Sequence, residues 1–293
     1  MATVSGAPDL RGERIEIDGR MLHVVRAGPT GAGLIVVLEA GSFGFSADWA
    51  VVQDQLAAKG IRSIAYDRAG MALSDPGPSP RDGLAIVSDL EKLLTATGEP
   101  GPFVLAGHSM AGLHIHLFAA RNPGQVAGLV FVDAITPALA ADPWVRRGTS
   151  HYIRFSRAAA WAASKGLLRP LSRWGDQIGL TADAAKHKRW AFADAAHNRV
   201  AADEVIQWET DVAQAAAAGS LNPDWPVAVI LAGPAKAPAK QLAVQTAPAD
   251  RSPRGYCERI VKARHASLIG GRFAEAVVRA IVHVRDAAME QTA

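Results

Sequence analysis

Cysteine is almost absent from this sequence of 293 residues, in which Cys257 is the single example. One thiol cannot form a disulfide within the chain or supply a cysteine-rich metal site, and we interpret it as a lone thiol beside or within a late strand rather than as a nucleophile. Long apolar runs are also missing, because no stretch approaches the length of a membrane span and the first residues, MATVSGAPDLRGER, lack the apolar core of a signal peptide. We therefore expect a soluble, cytoplasmic protein with no membrane partner.

An excess of charge of one sign is missing as well. The formal net charge is +3, and the lysines and arginines are scattered along the chain instead of forming a block, so nucleic acid is not an expected partner. The sequence offers no cluster of metal-ligating residues, no P-loop and no G-x-G-x-x-G context, and we expect neither a cofactor nor a metal. With 49% apolar and 20% charged residues the chain is typical of a globular protein. Its oligomeric state stays open.

Apolar runs that alternate with helical spacing dominate the first half of the chain. A hairpin is predicted around Asp18-Gly19. Further strands are predicted at 34–40, 61–66, 103–106, 126–133, 227–233 and 256–263, and a closing helix at 273–288. Alternation of this kind predicts an α/β fold with a mostly parallel central sheet and helices on both faces. Ligands of such sheets bind beyond the carboxyl ends of the strands.

The alternation stops between residues 135 and 222, a region of helical character with no convincing strand. Five of the seven tryptophans fall there: Trp144, Trp161, Trp174, Trp190 and Trp208. Prolines at 223 and 226 then block helix continuation before the next strand begins. We predict a core domain formed by residues 1–134 and 223–293, with residues 135–222 inserted as a helical cap.

A serine stands at the turn of a strand–turn–helix segment that runs from residue 102 to residue 120. The apolar run stops at Gly107, Ser109 follows, and helical spacing begins at once. Small neighbours two residues to either side, Gly107 and Ala111, let strand and helix pass each other, as a strained elbow that carries a nucleophile requires. The start of the helix would point free N–H groups at an oxyanion, and the backbone N–H of Met110 is one candidate donor. A loop serine without chemistry is the alternative.

These segments resemble the α/β-hydrolase family, in its form with a helical cap. The resemblance is carried by VVLEAG, YDRAGMALSD, VLAGHSMAG and RHASL, covers nearly all of the sequence and is weakest in the cap. It implies an α/β-hydrolase fold and a catalytic triad in the chain order serine, acid, histidine. Ser109 takes the place of the nucleophile, and His265, between the last predicted strand and the closing helix, takes that of the catalytic base. We interpret the histidines near the elbow, His108, His114 and His116, as structural.

The acid of the triad is harder to place. In many relatives of this kind an aspartate follows the strand after the cap, but here that strand runs into Gly233-Pro234-Ala235-Lys236. Asp250 precedes the last strand and would lie at the wrong end of the sheet. Asp133 ends the strand after the elbow helix, where some capped relatives place their acid, and we predict the triad Ser109, Asp133 and His265. A hinge or helix-capping role is the alternative for Asp133.

By the same resemblance, Ala40-Gly41 occupies the place of the family's His-Gly pair, and the backbone N–H of Ser42 is the second oxyanion donor. The preceding residue, Glu39, is unexpected, because a carboxylate that ends a buried strand must find a partner or take up a proton. We predict that it forms an ion pair with Arg68, at the end of the neighbouring strand, in a structural rather than a catalytic role.

Serine at the elbow implies acyl transfer through an acyl-enzyme, whereas aspartate would imply the alkylation chemistry of the family's dehalogenases and epoxide hydrolases. We predict a serine hydrolase whose substrate is a small carboxylic ester with an apolar acyl or alcohol part. Residues that could line its pocket are Phe43, Trp144, Tyr152, Trp161 and Trp190, although aromatic residues at helical spacing also pack a cap against its own body. The alternatives are a lactone, amide or carbon–carbon bond hydrolase of the same fold, or a non-catalytic protein that binds or senses a small molecule.

Overall fold

A computed structural model describes residues 11–31, 33–236 and 238–292 of the chain. Within these residues one sheet is formed by eight strands: β1 (Glu13–Ile17), β2 (Arg20–Ala27), β3 (Ile35–Glu39), β4 (Ser63–Tyr66), β5 (Phe103–His108), β6 (Val126–Val132), β7 (Val227–Ala232) and β8 (Tyr256–Ile260). Their order across the sheet is β1-β2-β4-β3-β5-β6-β7-β8. β2 pairs antiparallel with β1 and β4, and all other pairs are parallel. The predicted α/β fold with a mostly parallel sheet is confirmed, and Cys257 is a free, exposed thiol within β8.

Helices separate most of the strands. Those of the sheet-forming part are α1 (Ala50–Ala58), α2 (Gly83–Thr97), α3 (Ala111–Arg121), α9 (Ala239–Asp250) and α10 (Ala274–Thr292). Those between β6 and β7 are α4 (Pro137–Ala140), α5 (Pro143–Ser164), α6 (Ala182–Ala193), α7 (Ala195–Ile206) and α8 (Trp208–Ala217). Of the helices in the described ranges, none has both the length and the apolar character needed to cross a membrane. The sequence predicts the helix after Ser109, the closing helix and the helical character of the insertion, but it does not predict α9.

Apolar side chains cover both faces of the sheet, because successive residues of a strand point to opposite sides. In β3, Ile35 and Val37 face the cluster that packs against α2 and α3, while Val36 and Leu38 face the cluster that packs against α1 and α10. Both faces are therefore buried by helices, which explains why the central strands are continuous apolar runs in the sequence.

The carboxyl ends of the central parallel strands meet at one edge of the sheet. The register pairs Glu39 of β3 with Gly107 of β5, and Gly107 with Phe131 of β6. The loops that follow these three strands therefore start side by side, and they carry Ser42, Ser109 and the residues after Val132. This arrangement places Ser42, Ser109 and Asp133 together at the expected edge of the sheet.

The helical insertion, residues 135–222, contains α4 to α8 and leads from β6 to β7. Its helix α8 packs against α2 and α3, and its helix α6 packs against a 3-10 helix at Ser46–Trp49. Side chains of α5 and α8 face the cavity that Ser109 lines. The insertion consequently forms one wall of the space above the carboxyl edge of the sheet.

Candidate active site

Ser109 stands at a tight elbow between β5 and α3. Its φ angle is +59°, in the left-handed region that side chains other than glycine rarely adopt. The strand and helix pass so closely that a Cβ at Gly107 would lie 2.9 Å from the carbonyl oxygen of Ala111. The backbone is held there because Ser109 N–H donates to Val132 O at 3.2 Å, and its own carbonyl accepts from Ile135 N–H at 2.9 Å. The elbow keeps the serine in a strained conformation that the surrounding backbone stabilises.

Asp133 and His265 are in direct contact. Nδ1 of His265 lies 2.6 Å from Oδ2 of Asp133, although the two residues are 132 positions apart in the chain. Asp133 directly follows β6 and also has a positive φ angle, +44°. Its backbone N–H donates to Ile230 O at 2.6 Å, and its other carboxylate oxygen accepts from Ala232 N–H at 3.2 Å. One carboxylate oxygen is thus tied to the end of β7, and the other is left for the imidazole.

One cavity of about 400 Å³ brings the three predicted triad residues together. Ser109, Asp133 and His265 all line it, with Ser42 beside them. Two of the pocket candidates, Trp144 and Tyr152 of α5, also line this cavity. Other wall residues are Thr149, Trp208, Gln241 and Gln245. The cavity is open to solvent on the side of His265, whose side chain is 51% exposed.

The remaining pocket candidates do not line this cavity. Phe43 lies next to it, in the wall of a neighbouring cavity that it shares with Tyr152. Trp161 and Trp190 are in the wall of neither cavity. Trp161 is 60% exposed because it follows Tyr152 on α5 by nine residues, or two and a half turns, and so points to the other side of the helix. Trp190 packs against the ring of His187 instead.

His108 supports the position of His265. Its ring stacks at a tilt on the ring of His265, with 4.6 Å between centroids, and its Nε2 lies 3.2 Å from the carbonyl oxygen of His265. Burial, together with repulsion from His265, lowers the pKa of His108 to about 3. The ring is therefore neutral near pH 7, and its one N–H can donate to the His265 carbonyl. The structural role predicted for His108 agrees with this placement.

Two backbone N–H groups, of residues close to Ser109, have no hydrogen-bond partner among the described residues. Met110 is the residue that precedes α3, where helical N–H groups lack an acceptor within the helix. Ser42 lies in the loop after β3, and a Cβ on its neighbour Gly41 would lie 2.9 Å from Cβ of Ser109. In the part of the chain that the structure describes, neither N–H has a hydrogen-bond acceptor. Both are free to bind a ligand oxygen.

The predicted ion pair between Glu39 and Arg68 is present and belongs to a larger buried network. Nη1 of Arg68 donates to Oε1 of Glu39 at 2.8 Å, and the Tyr66 hydroxyl donates to Oε2 of Glu39 at 2.6 Å. Arg68 also binds both carboxylate oxygens of Glu204, at 2.7 to 3.1 Å. Glu204 belongs to α7, so the ion pair also connects the sheet to the helical insertion.

The same arginine holds the loop that precedes Ser42. Its Nη1 donates to Ala40 O at 2.6 Å and its Nη2 donates to Gly41 O at 3.0 Å. The guanidinium uses its remaining donors on the two carboxylates, and its side chain is only 2% exposed. Arg68 therefore fixes the backbone next to Ser42 as well as neutralising buried charge.

His114 is the second cation of this network. Its Nδ1 lies 3.7 Å from Glu39 and its Nε2 lies 3.8 Å from Asp211 of α8. Burial by itself would lower the pKa of His114, but the carboxylates of Asp211 and Glu39 raise it to about 9. The ring is consequently protonated near pH 7 and offsets part of the charge of the three buried carboxylates.

Sequence reasoning misses three polar residues around the site. Gln241 and Gln245 line the cavity from α9, four residues apart on one helix face. Their spacing was a usable signal, but the prolines at 234, 238 and 248 argue against a helix, and Pro248 in fact lies inside the last turn of α9. Glu204 carries no local signal of its role, because Arg68 lies 136 positions away in the chain.

Comparison with known protein families agrees with this architecture. A family described as alpha/beta hydrolase fold has a sequence model that matches residues 35–271. Among curated proteins, RutD of Variovorax paradoxus, described provisionally as a carbamate hydrolase, is 37% identical over 117 residues, which cover 39% of this chain and 42% of RutD. In RutD and three further curated relatives, the matching segment covers between 14% and 47% of the relative's length.

Solved structures are similar over almost the whole chain. Cfl2 from Burkholderia cenocepacia has a TM-score of 0.72 and 22% identity, covering 92% of this chain and 93% of Cfl2. A protein of Pseudomonas aeruginosa, described provisionally as an epoxide hydrolase, has a TM-score of 0.71 and 18% identity, covering 98% of this chain and 99% of that protein. Similarity at this level of identity shows a shared fold and leaves the chemistry to the residues of the site.

Proposed function

The chain belongs to the alpha/beta hydrolase fold family, and on that basis we propose that it is a serine hydrolase that cleaves carboxylic esters. Ser109 is the nucleophile, His265 the general base and Asp133 the acid. The observation that carries the proposal is the 2.6 Å contact between His265 Nδ1 and Asp133, in a cavity that Ser109 also lines. The helical insertion acts as a cap over this cavity.

The proposed reaction has two halves. The Ser109 hydroxyl attacks the ester carbonyl carbon, its proton passes to Nε2 of His265, and the carbonyl oxygen becomes an oxyanion. The proton then passes to the departing alcohol, which leaves an acyl group on Ser109. Water attacks this acyl group, His265 takes a proton from the water and returns it to the Ser109 oxygen, and the acid departs. Asp133 holds the imidazole through Nδ1 and stabilises its cationic form in both halves.

The two unpartnered N–H groups, of Ser42 and Met110, are the proposed oxyanion donors. Such donors stabilise charge that develops only in the transition state, and each contributes on the order of 3 kcal/mol in acyl-transfer enzymes. The Ser42 donor depends on its loop lying against Ser109, which Gly41 allows because it has no side chain. The Met110 donor is placed by the start of α3, whose dipole favours negative charge at that point.

The identity of the nucleophile argues for acyl transfer over the chemistry of an epoxide hydrolase. A carboxylate nucleophile that opens an epoxide forms an ester, whose carbonyl water can attack. Serine that opened an epoxide would form an ether, which has no carbonyl and would not turn over. A fold similar to that of an epoxide hydrolase is therefore not a reason to propose epoxide hydrolysis for a chain with serine at the elbow.

The predicted alternative, a non-catalytic binding protein, depended on the absence of a carboxylate for His265. The contact between His265 and Asp133 supplies a carboxylate and favours the enzyme. Among the hydrolase alternatives, the similarity to RutD makes carbamates a reasonable second substrate class to test, beside lactones, thioesters and amides.

Labelling by a fluorophosphonate probe tests the proposal most directly. We expect rapid labelling of the purified protein, loss of labelling in Ser109→Ala, and loss of at least 10³-fold in kcat/KM for p-nitrophenyl acetate in the same variant. Ser220→Ala is a suitable control, because Ser220 is an exposed loop residue away from the cavity. Absence of labelling in the unmodified protein, with no hydrolysis of any ester tested, would favour the binding protein.

Gly41→Ala tests the role of the loop beside Ser109. The added methyl group would lie 2.9 Å from Cβ of Ser109 and 3.0 Å from the carbonyl oxygen of His108, so the loop must shift. Because a displacement of about 1 Å can cost about 100-fold in rate, we expect kcat/KM to fall by about that factor. Steady-state kinetics on the ester cleaved best measures the effect.

The matched control for this variant is Gly124→Ala. An added Cβ at Gly124 meets nothing within 4 Å, so activity and thermal stability should both stay close to those of the unmodified protein. If Gly41→Ala retains full activity, Ser42 does not supply a donor from the position proposed for it.

A further inference from the structure

A second cavity of about 550 Å³ adjoins the one that holds Ser109. We call it the apolar chamber. It lies beside α5, in the helical insertion, and the sheet side contributes the loop after β3 through Phe43 and Phe45. Alanines form much of its wall (Ala158, Ala159, Ala162 and Ala191), and Phe155 and Phe192 complete it. The small side chains leave the space open, while the aromatic ones make it apolar.

The polar side chains that reach the chamber are already engaged. Lys188 donates to Asp48 at 2.8 Å and to the Phe43 carbonyl at 3.1 Å. The Asn198 amide donates to three backbone carbonyls, of Ala191, Phe192 and Asp194. The rest of the wall is mostly apolar, and a polar group that gave up its water here would have to compete for side chains that already have partners. The chamber therefore suits an uncharged hydrocarbon group.

His197 in the same wall is also satisfied and uncharged. Its Nδ1 accepts from the backbone N–H of Ala72 at 3.2 Å. Burial, reinforced by the charge of Lys188, lowers the pKa of His197 to about 3. The ring is thus neutral at any pH near 7, and it offers no charge to an anionic ligand.

Tyr152 separates the chamber from the cavity that holds Ser109. It lines both, its ring meets Phe43 edge-on at 6.5 Å between centroids, and it stacks on Phe155 at 6.3 Å. Burial raises the pKa of the Tyr152 hydroxyl, and the nearby Ser42 side chain opposes that shift in part. The partition therefore stands next to the loop of the proposed oxyanion donor, where the acyl carbon of a substrate would bind.

The location of His265 decides which part of an ester enters which cavity. The protonated imidazole must deliver its proton to the departing alcohol oxygen, so the alcohol lies on the His265 side. His265, Gln241 and Gln245 line the cavity that holds Ser109, whereas none of these three residues lines the chamber. The acyl group, on the other side of the ester carbonyl, would then extend into the chamber.

We propose that the apolar chamber is the acyl-binding site and that the enzyme prefers esters of an apolar acid of on the order of eight carbons with a small, polar alcohol that lies against Gln241 and Gln245. This inference rests on the proposed ester hydrolysis at Ser109. Phe43 and Tyr152 then determine specificity by shaping the passage that the acyl chain crosses.

Filling the chamber tests the assignment. Ala159→Phe and Ala162→Phe each place a ring in the space, and we expect kcat/KM for p-nitrophenyl octanoate to fall at least 10-fold, while kcat/KM for p-nitrophenyl acetate stays within about 2-fold. Ala160→Phe is the control, since Ala160 is on the same helix but outside the chamber wall. In a second series, with the acetyl group kept and the alcohol enlarged from methanol to hexanol, the filled variants should follow the unmodified protein.

Two different failures can be told apart. In the first failure, Ser109 is labelled by fluorophosphonate but the chamber is not the acyl site. This holds if both filled variants keep their kcat/KM for p-nitrophenyl octanoate, or if their kcat/KM falls with the size of the alcohol instead of the acyl group. If labelling and hydrolysis of all esters are absent in the unmodified protein, the proposed function itself fails and the inference fails with it. Labelling at the normal rate in the filled variants shows that each has folded with an intact Ser109.

Discussion

Replacing Asp133 by asparagine is expected to lower kcat/KM for a carboxylic ester by about 10⁴-fold. The carboxylate accepts a hydrogen bond from Nδ1–H of His265, at 2.6 Å. In the proposed mechanism this tautomer leaves Nε2 without a proton, so that it can accept one from Ser109. An amide at the same place can turn its NH₂ group toward Nδ1, which favours the tautomer with the proton on Nε2. That tautomer cannot act as a base toward serine. The amide oxygen can still accept from Ala232 N–H, so the fold should change little.

The control for this prediction is Asp250→Asn. Asp250 ends α9 and accepts from the hydroxyl of Thr246 at 2.6 Å, away from the carboxyl edge of the sheet. Its replacement should leave kcat/KM within about 2-fold of the unmodified value. Steady-state kinetics and thermal unfolding of both variants make the measurement. If Asp133→Asn turns over almost normally at unchanged stability, Asp133 is not part of a triad and has only its alternative role as a hinge or helix-capping residue.

Local patterns predict the sheet and the serine elbow because both are set by residues close in sequence. The strands are apolar runs because both of their faces are buried, and the elbow needs only a strand, small residues and a helix start within about twenty positions. The resemblance to a family then suggests His265 and Asp133, which lie 132 positions apart and have no local pattern in common. The structure places both residues at the same edge of the sheet.

The helical insertion could not be predicted to the same depth. Tyr152 and Trp161 are both aromatic residues of α5, yet one lines two cavities and the other is 60% exposed. Which helix face is buried depends on how the insertion packs on the sheet, and neither helical spacing nor composition fixes that. For the same reason Glu204 could not be recognised as the partner of Arg68, whereas Glu39, at the end of an adjacent strand, could be.

Replacing Arg68 by methionine is expected to reduce the free energy of unfolding by about 3–5 kcal/mol. The substitution would leave the Glu204 carboxylate, 0% exposed, without its ion-pair partner in the interior. It would leave the Glu39 carboxylate, 1% exposed, with only the His114 ring at 3.7 Å and the Tyr66 hydroxyl. Removing one partner of a buried ion pair costs far more than the net contribution of the pair, because the remaining charge keeps its desolvation penalty. Denaturant unfolding followed by tryptophan fluorescence would measure the loss.

An exposed arginine provides the comparison. Arg121 pairs with Glu91 at 3.0 Å, but its side chain is 44% exposed. Surface pairs of this kind contribute about 1 kcal/mol or less, so Arg121→Met should change stability by no more than that. A loss for Arg68→Met as small as that for Arg121→Met would mean that water reaches the buried carboxylates and that the network does not hold the insertion on the sheet.

The double variant Arg68→Met with Glu204→Gln separates charge burial from loop positioning. Removing the charge of Glu204 should restore part of the lost stability, because the buried carboxylate that has lost its ion-pair partner is then neutral. It should not restore activity, since the backbone carbonyls of Ala40 and Gly41 would still lack the donors that Arg68 supplies at 2.6 and 3.0 Å. Recovery of stability without recovery of kcat/KM would identify Arg68 as the residue that positions the Ser42 loop. If stability and kcat/KM recover together, Arg68 acts only by stabilising the fold.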